Sequence, residues 1–122
     1  MKKKVVFDFD GVIHSYTTPW IATTVIPDNP VEGIREAIMD IRDAGYEVVV
    51  VSTRCSSPGG IEAVEAYLKY FHIPVDKVMA EKPPAVVYID DRAICFDGNS
   101  AGLLEKVKAF KPWNKKDGQG NP

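Results

Sequence analysis

Val5-Val6-Phe7-Asp8-Phe9-Asp10-Gly11-Val12 is the stretch whose reading decides the fold. An apolar run that stops at two carboxylates two residues apart, with glycine directly after, reads as a buried strand reaching a solvent-facing end. Strand side chains alternate, so Asp8 and Asp10 leave the chain on the same side. Two carboxylates about 4 Å apart repel by about 4 kcal/mol at an effective dielectric of about 20. The spacing asks for a positive charge between them. A calcium-binding helix-loop-helix is excluded, because counting from Asp8 the places of its glycine and its last acidic ligand hold Ile13 and Pro19. Magnesium takes one or two carboxylates plus substrate phosphate and suits a strand end better.

The chain of 122 residues, 45% hydrophobic, is long enough for one domain with a sizeable core. A formal net charge of −2 gives no general attraction to nucleic acid or to an anionic membrane. Cys55 and Cys95 are too few for a disulfide framework and lack zinc-site spacing, so reduced thiols and a cytoplasmic location are expected. Asp8 interrupts the apolar run after Lys2-Lys3-Lys4, which argues against a signal peptide, and no stretch reaches the length of a membrane span.

Working outward, residues 14–28 carry threonine, proline and aromatics, and Thr17 to Ile26 is read as a short extended flap over the first strand end. A first helix is expected with Asn29 as N-cap, Pro30 at its first position, Glu32 in a capping box and Gly45 past its end. Val31, Ile34, Ile38 and Ile41 form its apolar stripe. Val48-Val49-Val50-Val51 is the β-branched run of an interior parallel strand ending at Ser52-Thr53-Arg54. A second helix places Ile61, Val64, Leu68 and Phe71 inward, and His72 at its end partners the helix dipole. Strands follow at 77–80, 86–89 and, as a short fifth strand, Ala93 to Phe96. A last helix, capped by Asn99 or Ser100, turns Leu103, Leu104, Val107 and Phe110 inward. Residues 1–111 thus read as a single α/β domain, a Rossmann-like three-layer sandwich with a mainly parallel central sheet, and 112–122 as a flexible tail.

In such sheets ligands bind beyond the carboxyl ends of the strands, where strand order reverses. Asp8/Asp10, Ser52 and Asp90/Asp91 each end a predicted strand, and Lys82 lies on the approach to the fourth. Four carboxylates, a hydroxyl and a lysine converging on one mouth describe a metal-assisted phosphate site. Arg54 either binds a second substrate group or neutralises the mouth, or else forms a structural salt bridge, and Cys55 beside it is an inert thiol.

These motifs, in this order across residues 5 to 91, resemble the haloacid dehalogenase-like superfamily of phosphohydrolases: Asp8-Phe9-Asp10-Gly11-Val12, the apolar run into Ser52, Lys82, and Tyr88-Ile89-Asp90-Asp91. The resemblance implies a magnesium-dependent phosphatase in which Asp8 attacks phosphorus to form an aspartyl-phosphate and Asp10 serves as general acid and then base. It also implies that Asp8, the Asp10 backbone carbonyl, Asp90 and Asp91 hold Mg2+, and that Ser52 and Lys82 stabilise the transferring group. Gly11, Thr53 and Arg54 are assigned to the substrate, with Thr53 competing with Ser52 for the hydroxyl role. Aspartate at position 10 argues against carbon–halogen cleavage.

Neither gap between motifs is long enough for the cap domain that many members insert. An open site suits a small phosphorylated substrate covered by the flap or a neighbouring subunit, or a nucleic-acid 3′-phosphate end. Ser52-Thr53-Arg54 and Ile89-Asp90-Asp91-Arg92 also look like strings in phage polynucleotide kinase phosphatase domains, although neither lysine cluster, 2–4 or 111–116, is placed to steer nucleic acid. His14, Tyr16 and Trp20 either touch the leaving group or pack the flap. A response-regulator receiver domain fits poorly, because the adjacent acidic pair follows the late strand and no Asp ends the run into Ser52.

Overall fold

The computed structural model describes residues 2–114. Its elements are β1 (Lys4–Asp8), α1 (Ile34–Asp43), β2 (Glu47–Val51), a 3-10 turn (Thr53–Ser56), α2 (Gly60–Tyr70), β3 (Lys77–Met79), β4 (Val87–Ile89) and α3 (Leu103–Ala109). The four strands form one parallel sheet in the order β3-β2-β1-β4, the α/β Rossmann-like architecture expected from the alternating pattern.

Alternation sorts the strand residues cleanly between the faces. Val5, Phe7, Val48 and Val50 join Phe9, Ile13, Ile38, Val64, Tyr67 and Leu68 in the main core under α1 and α2. Val6, Val49 and Val51 point to the other face, where Met79 and Ala85 pack on them. Among the described residues, no helix residue belongs to that small cluster. On that side Ala85 of the 80–86 connection packs on the strands, and the Tyr88 hydroxyl donates to the Pro83 carbonyl at 2.7 Å.

Register decides where the site forms. Asp8 pairs with Val51 at the end of β2, and Phe7 pairs with Ile89 at the end of β4, so Asp8 and Asp90 are level across adjacent strands. The chain builds from β1 through β2 to β3 on one side and then returns to place β4 on the other. The reversal point therefore lies between β1 and β4, where the carboxylates are.

Helix α1 starts later than its capping signals suggest. Asn29 and Pro30 are drawn into an extended pairing with the 13–15 segment: Ser15 donates to the Asn29 carbonyl and Val31 to that of Ile13. No capping box forms, and Gly33, at φ +80°, becomes the N-cap. Gly45 closes the helix as expected. In α2, Val64 and Leu68 are buried, but Ile61 is exposed and Tyr67 takes an inward place instead. Gly60 is required there, because a Cβ would fall on the Arg54 carbonyl oxygen.

The C-terminal third differs most from expectation. Residues 93–96 form no strand. Side-chain turns fold this region on itself instead: Asp90 accepts the Arg92 N–H, Asp97 that of Asn99, and Asn99 that of Ala101. Helix α3 buries no residue, and its expected inner residues Leu104 and Val107 are 60% and 62% exposed. Nor do residues 112–114 belong to a loose tail, since Pro112 is buried and Trp113 and Asn114 donate to the carbonyls of Gly11 and Ser15. The rest of the predicted tail, 115–122, lies outside the described residues. No helix among the described residues is long and apolar enough to cross a membrane.

Candidate active site

Beyond the carboxyl ends of β1, β2 and β4 opens a cavity of about 580 Å³ whose walls include Asp8, Asp10, Ser52, Thr53, Lys82, Asp90 and Asp91. Seven of the residues singled out from the sequence are thus brought together.

Three of them form an inner acidic cluster. Oxygens of Asp8, Asp90 and Asp91 lie within 4.8 Å of one another. Burial pushes the Asp8 carboxyl up to about 8, with the charge of Asp90 and a side-chain hydrogen bond to Asp91 adding to the effect. Burial likewise raises Asp91. The shared hydrogen bond requires a proton between two carboxyl groups, a place that a cation can take. Three oxygen donors at a strand end fit a hard divalent ion that keeps waters of its own. Lys82 Nζ lies 3.2 Å from Asp90 Oδ2, half-exposed at the cavity edge.

Asp10 lines the same cavity but its charge is balanced elsewhere. The Arg54 Nε and Nη2 groups donate to its two oxygens at 2.9 and 3.2 Å, and His14 Nδ1 lies 2.8 Å from Oδ1. The positive charge expected between Asp8 and Asp10 is thus, for Asp10, a guanidinium. Burial alone would raise the Asp10 carboxyl, but the bonds from His14 and Arg54 outweigh it and hold it below the ordinary carboxylate range. His14 Nε2 accepts the Asp28 N–H at 3.1 Å, which leaves the ring proton on Nδ1, facing Asp10.

Of the roles open to Arg54, the structure shows the salt bridge, to Asp10, rather than an open substrate contact. It is 2% exposed, and its Nη1 group donates to the carbonyls of Ala22, Thr23 and Val25. One buried side chain therefore ties the flap to Asp10. The flap is an irregular turn rather than a strand, further fixed by Asp28 accepting from the Thr18 N–H and hydroxyl and by Tyr67 donating to the Asp28 carbonyl. Asp28 went unmarked in the sequence because its partners lie 10 to 39 residues away.

Gly11, assigned to the substrate from the sequence, has a structural duty. Its N–H donates to the His14 carbonyl, its own carbonyl accepts from Trp113, and at φ +90° a Cβ would fall on the Asp91 carboxylate. Ser52 is buried; its Oγ accepts the Arg54 N–H at 3.1 Å, which leaves the hydroxyl proton to donate. Thr53 is exposed on the cavity wall. Cys55 lies buried outside that wall, and burial pushes its thiol up. His14 is fully buried between Phe9 and Tyr67, whereas Tyr16 and Trp20 line the cavity. Arg92 lines it too; in the sequence it stood only as the last residue of the Ile89-Asp90-Asp91-Arg92 string and was given no site role.

Compared as a sequence, the chain matches no family model and no curated protein. Its fold is similar to those of several solved structures. One is a chain titled as part of the Pnkp1/Rnl/Hen1 RNA repair complex, with a TM-score of 0.51 and 20% identity over 87% of this chain and 30% of that one. A second chain of a Pnkp1/Rnl/Hen1 complex gives 0.51 and 19% over 93% and 36%. A structural-genomics target from Vibrio cholerae gives 0.52 and 24% over 75% and 82%. The chain spans about a third of the RNA repair chains it resembles. At these identities the likeness establishes a shared α/β fold.

Proposed function

We propose that this chain is a metal-dependent phosphomonoester hydrolase working through an aspartyl-phosphate, as the resemblance to the haloacid dehalogenase-like superfamily implies. The observation that carries the reading is the meeting of Asp8, Asp90 and Asp91 at the reversal point of the sheet, with Lys82 at its edge. Asp8, Asp90 and Asp91, with the Asp10 backbone carbonyl, would hold Mg2+, which when bound neutralises the acidic cluster and draws charge from the phosphoryl oxygens. Asp8 then attacks phosphorus in line as an ionised carboxylate and is released later by water. Lys82 and the Ser52 hydroxyl donate to phosphoryl oxygens, where negative charge builds in the transition state.

Asp10 is held ionised by Arg54 and His14, a state suited to accepting the proton of the hydrolytic water. Protonation of the leaving oxygen requires a proton on Asp10, and a phosphate dianion brought beside it raises its proton affinity in that direction. The RNA repair complexes among the structural neighbours favour a nucleic-acid end as substrate.

The test is phosphate release from an aryl phosphomonoester with magnesium and with chelator, beside Asp8→Asn. Metal-dependent turnover that vanishes in the variant is expected; turnover retained by Asp8→Asn removes the covalent mechanism.

A further inference from the structure

Resting on the phosphohydrolase reading, the geometry points to Trp20 as a fixed stacking platform for a nucleobase, with Arg92 placed for a neighbouring phosphate, so that the substrate is a phosphomonoester at a nucleotide chain end. Trp20 is 43% exposed and lines the same cavity as Asp8 and Lys82. The Arg54 guanidinium sits 4.3 Å from the centroid of its ring. That guanidinium is itself immobilised by Asp10 and three flap carbonyls. An aromatic ring that carries a buried cation against one face and still lines the cavity with 43% of its surface exposed keeps its orientation before any ligand arrives. Little ordering is then required when a second planar ring stacks on it.

A flap serving only as a cover would turn apolar groups inward; here the exposed ring meets an open, acidic mouth. A purely aliphatic phosphate ester would leave the ring wet. Arg92 adds the second element. Its backbone N–H is used by Asp90; its exposed side chain lines the cavity with no hydrogen bond or close ion pair among the described residues, its charge acting on Asp91 at longer range. A cation beside a carboxylate cluster already supplied with Lys82 suits a phosphate other than the one being cleaved.

The test is calorimetric titration of Asp8→Asn protein with magnesium, which separates binding from turnover. The probes are 3′- and 5′-phosphorylated trinucleotides, the matching mononucleotides, and glycerol phosphate. Adding Trp20→Ala is expected to lower the ratio of trinucleotide to glycerol phosphate affinity by about five- to hundredfold, and Trp20→Phe to restore most of it. Arg92→Gln is expected to weaken the trinucleotide more than the mononucleotide. Equal losses for all probes on Trp20→Ala mean that the ring merely supports the flap and overturn the platform. Equal losses for trinucleotide and mononucleotide on Arg92→Gln overturn the chain-end assignment in favour of a free nucleotide. If the wild type with magnesium releases phosphate neither from the aryl ester nor from the 3′- or 5′-phosphorylated trinucleotides while the trinucleotide still binds through Trp20, the hydrolase reading falls and the platform stands.

Discussion

Replacing Arg54 by alanine removes five hydrogen bonds at once, two to Asp10 and three to flap carbonyls. Truncating one partner of a buried ion pair costs about 3–5 kcal/mol, because the other charge is left without compensation. The Asp10 side chain is 19% exposed, so water reaches it in part and the pair alone belongs near the lower bound. The stranded carbonyls of Ala22, Thr23 and Val25 add to this unless the flap opens to solvent. A loss of about 3–5 kcal/mol is a large share of the roughly 5–15 kcal/mol that holds a domain together. With an unfolding entropy of about 2.1 cal/mol/K per residue, it corresponds to roughly 12–20 °C in Tm. The assay is thermal unfolding by circular dichroism, with Arg54→Lys as a companion that keeps charge but loses the planar fork. Lysine is expected to recover less than half of the loss. A melting temperature for Arg54→Ala within about 3 °C of wild type would refute the claim that this side chain ties flap to site.

Lys82→Met is expected to lower turnover about tenfold or more with little change in Tm, as measured by steady-state phosphate release. Magnesium at ten times its Kd should stabilise the wild type by about 1.4 kcal/mol in thermal melts. That gain should shrink in Asp90→Asn. Gly60→Ala places a methyl group on the Arg54 carbonyl and should cost about 1–3 kcal/mol by denaturant titration. Asp76 is expected to give a pH effect away from the cavity. Burial would raise its carboxyl, but the Val48 N–H and Arg42 outweigh this and hold it below the ordinary value of 3.8. Its stabilisation is therefore present above that value and is lost as pH falls through its folded-state value. Melts of wild type and Asp76→Ala should differ at pH 7 and converge as the solution is acidified below about pH 4.

The sheet and its mouth were legible because both are written locally. Four consecutive valines admit little besides a buried strand, and carboxylates placed where an apolar run stops mark its open end. What escaped depends on partners distant in sequence. Arg54 reads as a mouth cation until the flap 29 to 32 residues earlier is seen folded over it. Asn29 and Pro30 are sound capping residues, but pairing with residues 13–15 won over helix entry. In 93–110 the apolar spacing is real, yet turn-forming side chains at Asp90, Asp97 and Asn99 set the local path and leave α3 without a packing surface.

The bond from Trp113 to the carbonyl of Gly11 joins residues 102 positions apart. On a ribosome adding about 5–20 residues per second, Gly11 is made roughly 5–20 s before the indole that clasps it. That one carbonyl therefore waits far longer for its partner than the neighbouring Asp10, whose partners His14 and Arg54 lie 4 and 44 residues on. The Gly11 carbonyl thus finds its indole donor only after all four strands of the sheet have been translated.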